Sequence, residues 1–342
     1  MDRPGIDRPL RILSIDGGGI RGVIPAVILG EFERRTKLPA SQLFDFIAGT
    51  STGGILGLAL TRPDPDDSTR PIYRARDVVQ LYEHRGRDIF SRTIWKRLSS
   101  LDGTADEKYP AEGLESVLWD AFGETMLSEA LVPVLVSSYE IERREPFFFK
   151  SWRAEQAPHA QDFPMRYVAR ATSAAPTYFE PLPLNTMDGS RTLHLIDGGV
   201  FANNPTMCAF VEALRQFSPK SEKVIVVSLG AGEITRSLEY ERARHWGNFQ
   251  WARHVVNIAF DGVDDAVDYQ MNQLLNRNSK HQRYYRFQMD LHGANDDIDD
   301  ATSVNIRNLK RLARAHVHER SKEVTGLCRL LRAPARREQV ER

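Results

Sequence analysis

A serine stands between two glycines at Gly49-Thr50-Ser51-Thr52-Gly53, after the apolar run Phe46-Ile47-Ala48 and before the apolar stretch Ile55 to Leu60. That order predicts strand, turn, helix. A nucleophilic serine needs it: the chain bends sharply, so Gly49 and Gly53 must lack side chains, and the helix start directs partial positive charge at the hydroxyl. The chemistry on offer is attack on an acyl carbon. An ordinary Gly/Ser/Thr-rich turn has the same composition and stays open as the alternative.

A second loop, Asp16-Gly17-Gly18-Gly19-Ile20-Arg21-Gly22, joins the strand-like Leu10 to Ile15 to a helical stretch from Val23 to Arg35. Read literally, Gly17-x-Gly19-x-x-Gly22 is the dinucleotide fingerprint, which would make the protein a nucleotide-binding regulator. That fingerprint wants an acidic residue about 20 positions on, at the end of a second strand. Thr36-Lys37-Leu38-Pro39-Ala40 supplies none, and no Gly-Lys-Ser/Thr follows for a P-loop. Backbone N–H groups free of Cβ bulk suit a nest for a developing oxyanion, with the Arg21 charge beside it. A tight turn with close backbone packing is the plainer reading.

A serine nucleophile needs a base, and the nine histidines are poor candidates. His194 lies nearest a promising motif, but on a strand it and Asp197 point to opposite faces. The others sit in polar helical or loop contexts. Asp197-Gly198-Gly199 closes an apolar strand, where ligands gather at a sheet edge. A carboxylate is a weak base for a hydroxyl unless burial raises its proton affinity. Taken alone, a turn aspartate explains it equally well.

The elements that must position these loops alternate strand and helix, which predicts an α/β fold: a mainly parallel sheet between helices, in one domain over 1–342. Strands are expected at Leu131 to Ser138, Pro146 to Lys150, Thr192 to Ile196, Lys223 to Leu229 and Tyr284 to Gln288. Helices are expected at Asp77 to Phe90, Pro110 to Phe122, Pro164 to Ala174, Phe249 to Asn276 and Val304 to Arg320. Asn204 reads as an N-cap with Pro205 at the first helical position. Arg62 to Asp67 reads as a polar break. Lys+Arg and Asp+Glu both number 46, so no global field draws the chain to a nucleic-acid polymer. The N-terminus lacks an apolar leader and no run spans a bilayer, so a cytoplasmic protein is expected. Cys208 and Cys328 read as reduced, buried thiols without metal spacing. Residues 307–342 hold eleven Lys/Arg against four Asp/Glu, a solvated helix face or a surface for phosphate or anionic lipid. Ile94, Trp95 and Leu98, with Phe147 to Phe149, read as core or as acyl-pocket lining.

Three elements now stand in one order: Asp16-Gly-Gly-Gly-Ile-Arg21-Gly22, Gly49-Thr-Ser51-Thr-Gly53 and Asp197-Gly198-Gly199. This resembles the patatin-like phospholipase family, with its motifs D-G-G-G-x-R-G, G-x-S-x-G and D-G-G/A. Ala171 to Phe179 is similar to the family's A-x-S-A-x-P-x-x-F segment, and Asp197 to Pro205 to its D-G-G-x-x-x-N-N-P segment. The likeness covers about residues 10 to 235, with 236–342 as a helical and strand extension completing the domain.

The resemblance implies a three-layer α/β/α fold and hydrolysis of fatty-acyl esters of membrane phospholipids. It implies Ser51 as nucleophile, Asp197 as base, and neither catalytic histidine, metal nor cofactor. Gly17, Gly18 and Gly19 would form the oxyanion hole with Arg21 close by; Gly49 and Gly53 would shape the elbow, and Gly198 and Gly199 would support Asp197. The enzyme would meet phospholipid peripherally, at the inner face of the membrane, and a homo-oligomer stays open. The chain is also similar to short bacterial members that a cyclic dinucleotide switches on in antiphage defence, a likeness to which Val267 to Met271 and Tyr284 to Phe287 contribute. A constitutive esterase without nucleotide activation is the alternative.

Overall fold

The computed structural model describes residues 9–89, 111–218, 223–233, 238–277, 279 and 281–332. Its strands are β1 (Leu10–Ile15), β2 (Phe46–Thr50), β3 (Pro63–Asp64), β4 (Asp67–Pro71), β5 (Val134–Glu140), β6 (Glu145–Lys150), β7 (Leu182–Asn185), β8 (Thr192–Asp197), β9 (Val224–Leu229) and β10 (Tyr284–Phe287). Parallel pairing runs β10–β9–β1–β2–β5; β6 and β8 join β5 antiparallel, and β7 flanks β8. The central strands β1, β2 and β9 are buried along their whole length. Continuous apolar runs such as VIVVSL follow from cover on both faces.

Side-chain alternation splits the interior into two cores. Leu13, Ile15, Ile47, Val136, Val227 and Phe287 face one core, with Ile24, Leu56, Phe122 and Leu309 from the helices. Ile12, Phe46, Ala48, Leu135, Val226 and Tyr284 face the other, against Trp152, Phe210, Met271 and Leu275. Helix, sheet, helix is therefore the layering, as expected. No described helix is long and apolar enough to cross a membrane.

Several expectations shift. The helix expected to begin at Pro205 spans Thr206–Phe217; Pro205 is its N-cap, and Asn204 Oδ1 accepts the Thr206 N–H at 3.1 Å. The Asn204 side chain still serves the helix start, one residue outside its expected place. The polar break holds the β3–β4 hairpin. A further helix, Ser321–Arg332, follows Ser303–Glu319. Thr302 caps the latter with its hydroxyl, and in the loop before it Asp300 Oδ1 accepts the Thr302 N–H at 3.0 Å. Cys208 is half-buried and Cys328 buried, both as free thiols. Phe149 is buried against Phe163, a core position. Ile94, Trp95 and Leu98, and residues 333–342 of the basic tail, lie outside the described residues.

Candidate active site

Ser51 follows β2 directly and precedes the helix Thr52–Thr61. Its backbone is held at φ 54°, ψ −125°, a conformation that costs an L-residue of order 1–3 kcal/mol. Two approaches enforce the bend. A side chain on Gly49 would run into the Gly53 carbonyl, and one on Gly53 into the carbonyls of Ile15 and Asp16 at the end of β1. Both elbow glycines are thus where backbone meets backbone. The Ser51 N–H donates to Thr172 Oγ1 at 2.8 Å, and that hydroxyl donates to the Ser137 carbonyl at 2.6 Å. Thr172→Val keeps the shape and removes both bonds. It should cost about 1–3 kcal/mol of stability, read from denaturant midpoints. Loss of the clamp on the bend should also lower ester turnover by about tenfold or more.

Asp197 reaches Ser51 through a consequence of sheet register. β6 occupies one edge of β5 from Leu135 to Glu140, so β2 and β8 must share the other edge. β2 pairs up to Thr50↔Ser137, and β8 descends antiparallel to Ser138↔Asp197. The carboxyl ends of β2 and β8 therefore meet head-on over β5, placing Ser51 and Asp197 side by side. Close contact of Gly198 with Ser137 permits it, since a Cβ there would strike Ser137. The Asp197 N–H donates to Ala174 O at 3.0 Å, so the segment 172–174 holds the backbones of both residues.

The Asp197 carboxyl is 5% exposed and accepts the Gly199 N–H at 2.7 Å, with the Ser51 hydroxyl beside it. Burial pushes it up to about 6, against the pull of the Gly199 N–H and of the Ser51 hydroxyl. At neutral pH it is ionised yet far more basic than a surface aspartate. His194 is turned elsewhere, as the strand alternation predicts: its Nδ1 lies 3.2 Å from Glu142 Oε1.

The glycine loop divides its N–H groups. Gly17 N–H donates to Asn203 O at 3.0 Å, and Ile20 N–H to Ile298 O at 2.8 Å. This corrects the expectation for Gly17, whose N–H already has a backbone acceptor. Gly18 and Gly19 have none among the described residues. Gly19, at φ 57°, also packs its Cα against the Ile298 carbonyl. Gly17 stays at the site, for a methyl there would come within 3.3 Å of Ser51 Cβ. Arg21 is buried, with Nε 3.4 Å from Gly18 O and Nη1 3.4 Å from Gly232 O. Its guanidinium ties the loop to the segment after β9.

Sequence reasoning missed the residues behind this loop. Arg286 of β10 forms an ion pair with Asp16 at 2.6 Å and donates to Ser228 Oγ at 2.8 Å. Burial raises the Asp16 carboxyl despite Arg286. Asp264 on the helix Asn248–Leu275 accepts from Asn203 Nδ2 at 2.8 Å. Thr172 and Asn203 lay inside motif segments, but Asp264 and Arg286 carry no local signal. Glu140, Glu142 and His194 form the one described group of such side chains whose ligand atoms fall within 4.8 Å of one another. Glu140 there already accepts the N–H groups of Arg143 at 2.6 Å and His194 at 3.1 Å, and neither Ser51 nor Asp197 belongs to the group.

A strained serine between strand and helix, on a mainly parallel sheet covered on both faces, defines the class of an α/β/α serine esterase. The sequence profile of the patatin-like phospholipase family matches residues 13–210, more than half of the chain. Patatin-like protein 4 of Arabidopsis thaliana is 34% identical over 88% of this chain and 81% of its own. Patatin-like protein 2 of Oryza sativa subsp. indica is 31% identical over 88% and 82%, and Patatin-T5 of Solanum tuberosum 31% over 87% and 81%. The chain belongs to the patatin-like phospholipase family and is a lipid acyl hydrolase.

Proposed function

We propose that the protein is a phospholipase A that cleaves fatty-acyl esters of membrane phospholipids through a Ser51–Asp197 dyad. The observation that carries this reading is the register of β2 and β8 over β5, which sets Ser51 beside a buried carboxyl of raised proton affinity. Asp197 takes the Ser51 proton as Oγ attacks the acyl carbon. The N–H groups of Gly18 and Gly19 hold the oxyanion. Collapse breaks the ester bond, and the departing lysophospholipid alcohol takes the proton back from Asp197. Water, deprotonated by the same carboxylate, then releases the fatty acid and restores Ser51.

The test is mass-spectrometric detection of free fatty acid and lysophospholipid from phosphatidylcholine and phosphatidylglycerol vesicles, with fluorophosphonate labelling of Ser51. Both products and labelling are expected; a purified, folded chain giving neither overturns the reading. Vesicle co-sedimentation reports the peripheral membrane contact.

A cyclic-dinucleotide switch belongs to the same proposal. Its ligand would meet an open surface depression bordered by Arg35, Ser321, Thr325, Cys328, Arg329 and Arg332. Arg35 already donates to Glu31, Ser321 and Thr325, so Arg329 and Arg332 would supply the charge for a phosphodiester. The vesicle assay should accelerate when cyclic dinucleotides are added, and an unchanged rate across them leaves a constitutive esterase.

A further inference from the structure

We propose that Asp264 is a positioning residue of the glycine loop, acting through Asn203. The inference rests on the reading of Ser51 as nucleophile and extends it to the segment beyond the family-matched residues 13–210. Asn203 touches Gly17 twice. Its carbonyl accepts the Gly17 N–H at 3.0 Å, and its side chain occupies the space that a Gly17 methyl would fill. The same position lies within 3.3 Å of Ser51 Cβ. The loop that must present Gly18 and Gly19 thus packs at Gly17 against both Asn203 and the nucleophile's own residue.

Asn203 is itself held from outside. Its Nδ2 donates to Asp264 Oδ2 at 2.8 Å, which fixes the amide so that Oδ1 turns toward Gly17. Asp264 is half-buried on the long helix Asn248–Leu275, which packs against the short helix Gly199–Ala202 just before Asn203. Burial above all, and then the Asp16 charge, push its carboxyl up to about 7, against the Asn203 hydrogen bond and the attraction of Arg286. Arg286 also pairs with Asp16, the residue before Gly17. Helix and β10 therefore grip the loop at adjoining points, Asp264 through Asn203 and Arg286 through Asp16.

A carboxyl whose burial opposes ionisation is a poor stabiliser. A purely structural role therefore leaves turnover alone in any variant that folds. Positioning makes a different forecast, because an oxyanion donor displaced by a fraction of an ångström loses transition-state stabilisation without loss of substrate affinity.

The experiment compares Asp264→Ala and Asp264→Asn in the full chain, using a soluble fatty-acyl ester and fluorophosphonate labelling of Ser51. Asp264→Ala should lower kcat by about 10- to 100-fold, with KM within about twofold, and slow labelling in parallel. Asn at 264 still offers an acceptor to Asn203 and should restore kcat to within about threefold of the parent. Its acid limb, set by Asp197, should not move. Asp264→Leu, apolar and suited to a buried site, gives the same comparison if the alanine variant does not fold. A folded Asp264→Ala or Asp264→Leu with parental kcat, or a loss confined to KM, overturns the proposal. Ser51→Ala runs alongside: parental turnover there overturns the dyad reading and this inference with it. A dead Ser51→Ala beside a fully active Asp264→Ala overturns the positioning role alone.

Discussion

Ser51→Ala should abolish acyl-ester hydrolysis, by about 10⁴-fold or more, in a protein that folds as well as its parent. The size follows from the proposed mechanism having one nucleophile, in which Asp197 and the glycine loop act only on what Ser51 Oγ begins. Retention of the fold follows from how little else the hydroxyl does. Ser51 occupies the N-cap position of the helix Thr52–Thr61, yet its side chain makes no capping bond, so its loss does not carry the ~1 kcal/mol of a removed cap. The backbone contacts of the bend, to Thr172 Oγ1 and from Ile55 N–H to Ser51 O at 3.0 Å, remain. Ser51→Gly should go further and raise stability by about 1 kcal/mol or more, because glycine relieves the strain at φ 54°. Hydrolysis of phosphatidylcholine vesicles and of a short-chain nitrophenyl ester, set beside thermal melts, reads both effects. Turnover within tenfold of the parent in a folded Ser51→Ala would falsify the assignment of Ser51 as nucleophile.

What the sequence makes legible here is what is local. The serine turn needs only neighbours: an apolar strand before it, glycines beside it, a helix after it. The opposite orientation of His194 and Asp197 is likewise a matter of strand alternation, and His194 does face Glu142. The partnership of Ser51 with Asp197 is of another kind. From residues alone Asp197 is a D-G turn; only likeness to a family singled it out, and the reason lies in β8 continuing the edge of β5 that β2 vacates. Register between strands nearly ninety positions apart leaves no trace in a window of ten residues. The occupied N–H of Gly17 and the supports Asp264 and Arg286 were hidden for the same cause, being tertiary hydrogen bonds and an ion pair. The β3–β4 hairpin escaped because its three prolines, at Pro63, Pro65 and Pro71, and its exposed polar residues read as loop.

Asp197→Asn carries the other large effect, and pH separates its two parts. For catalysis the ionised carboxylate is the working form, so kcat/KM of the parent should fall about tenfold per pH unit below pH 6, where the buried carboxyl takes up its proton. Asp264, pushed up to about 7, titrates nearby, but protonated or ionised it still accepts from Asn203, so an Asp264→Asn background should show the same limb. Asp197→Asn should lose about 10³-fold or more at pH 8, and a parent profile flat down to pH 5 would sink the base assignment. For stability the sign is reversed. The carboxyl's ordinary value is 3.8 and its folded value about 6, so the folded chain holds a proton that the unfolded chain has released between those pH values. Stability contributed by this group is present below pH 4, is lost as pH rises through 6, and the deficit above that amounts to about 3 kcal/mol. Asparagine keeps the acceptor for the Gly199 N–H and has no charge to bury. Asp197→Asn should therefore raise the denaturant midpoint at pH 8 and leave it nearly unchanged at pH 4. A variant that gains stability while losing activity would show that the same burial makes Asp197 basic enough for catalysis and costly for folding; equal destabilisation at both pH values would mean that the carboxylate stabilises the fold.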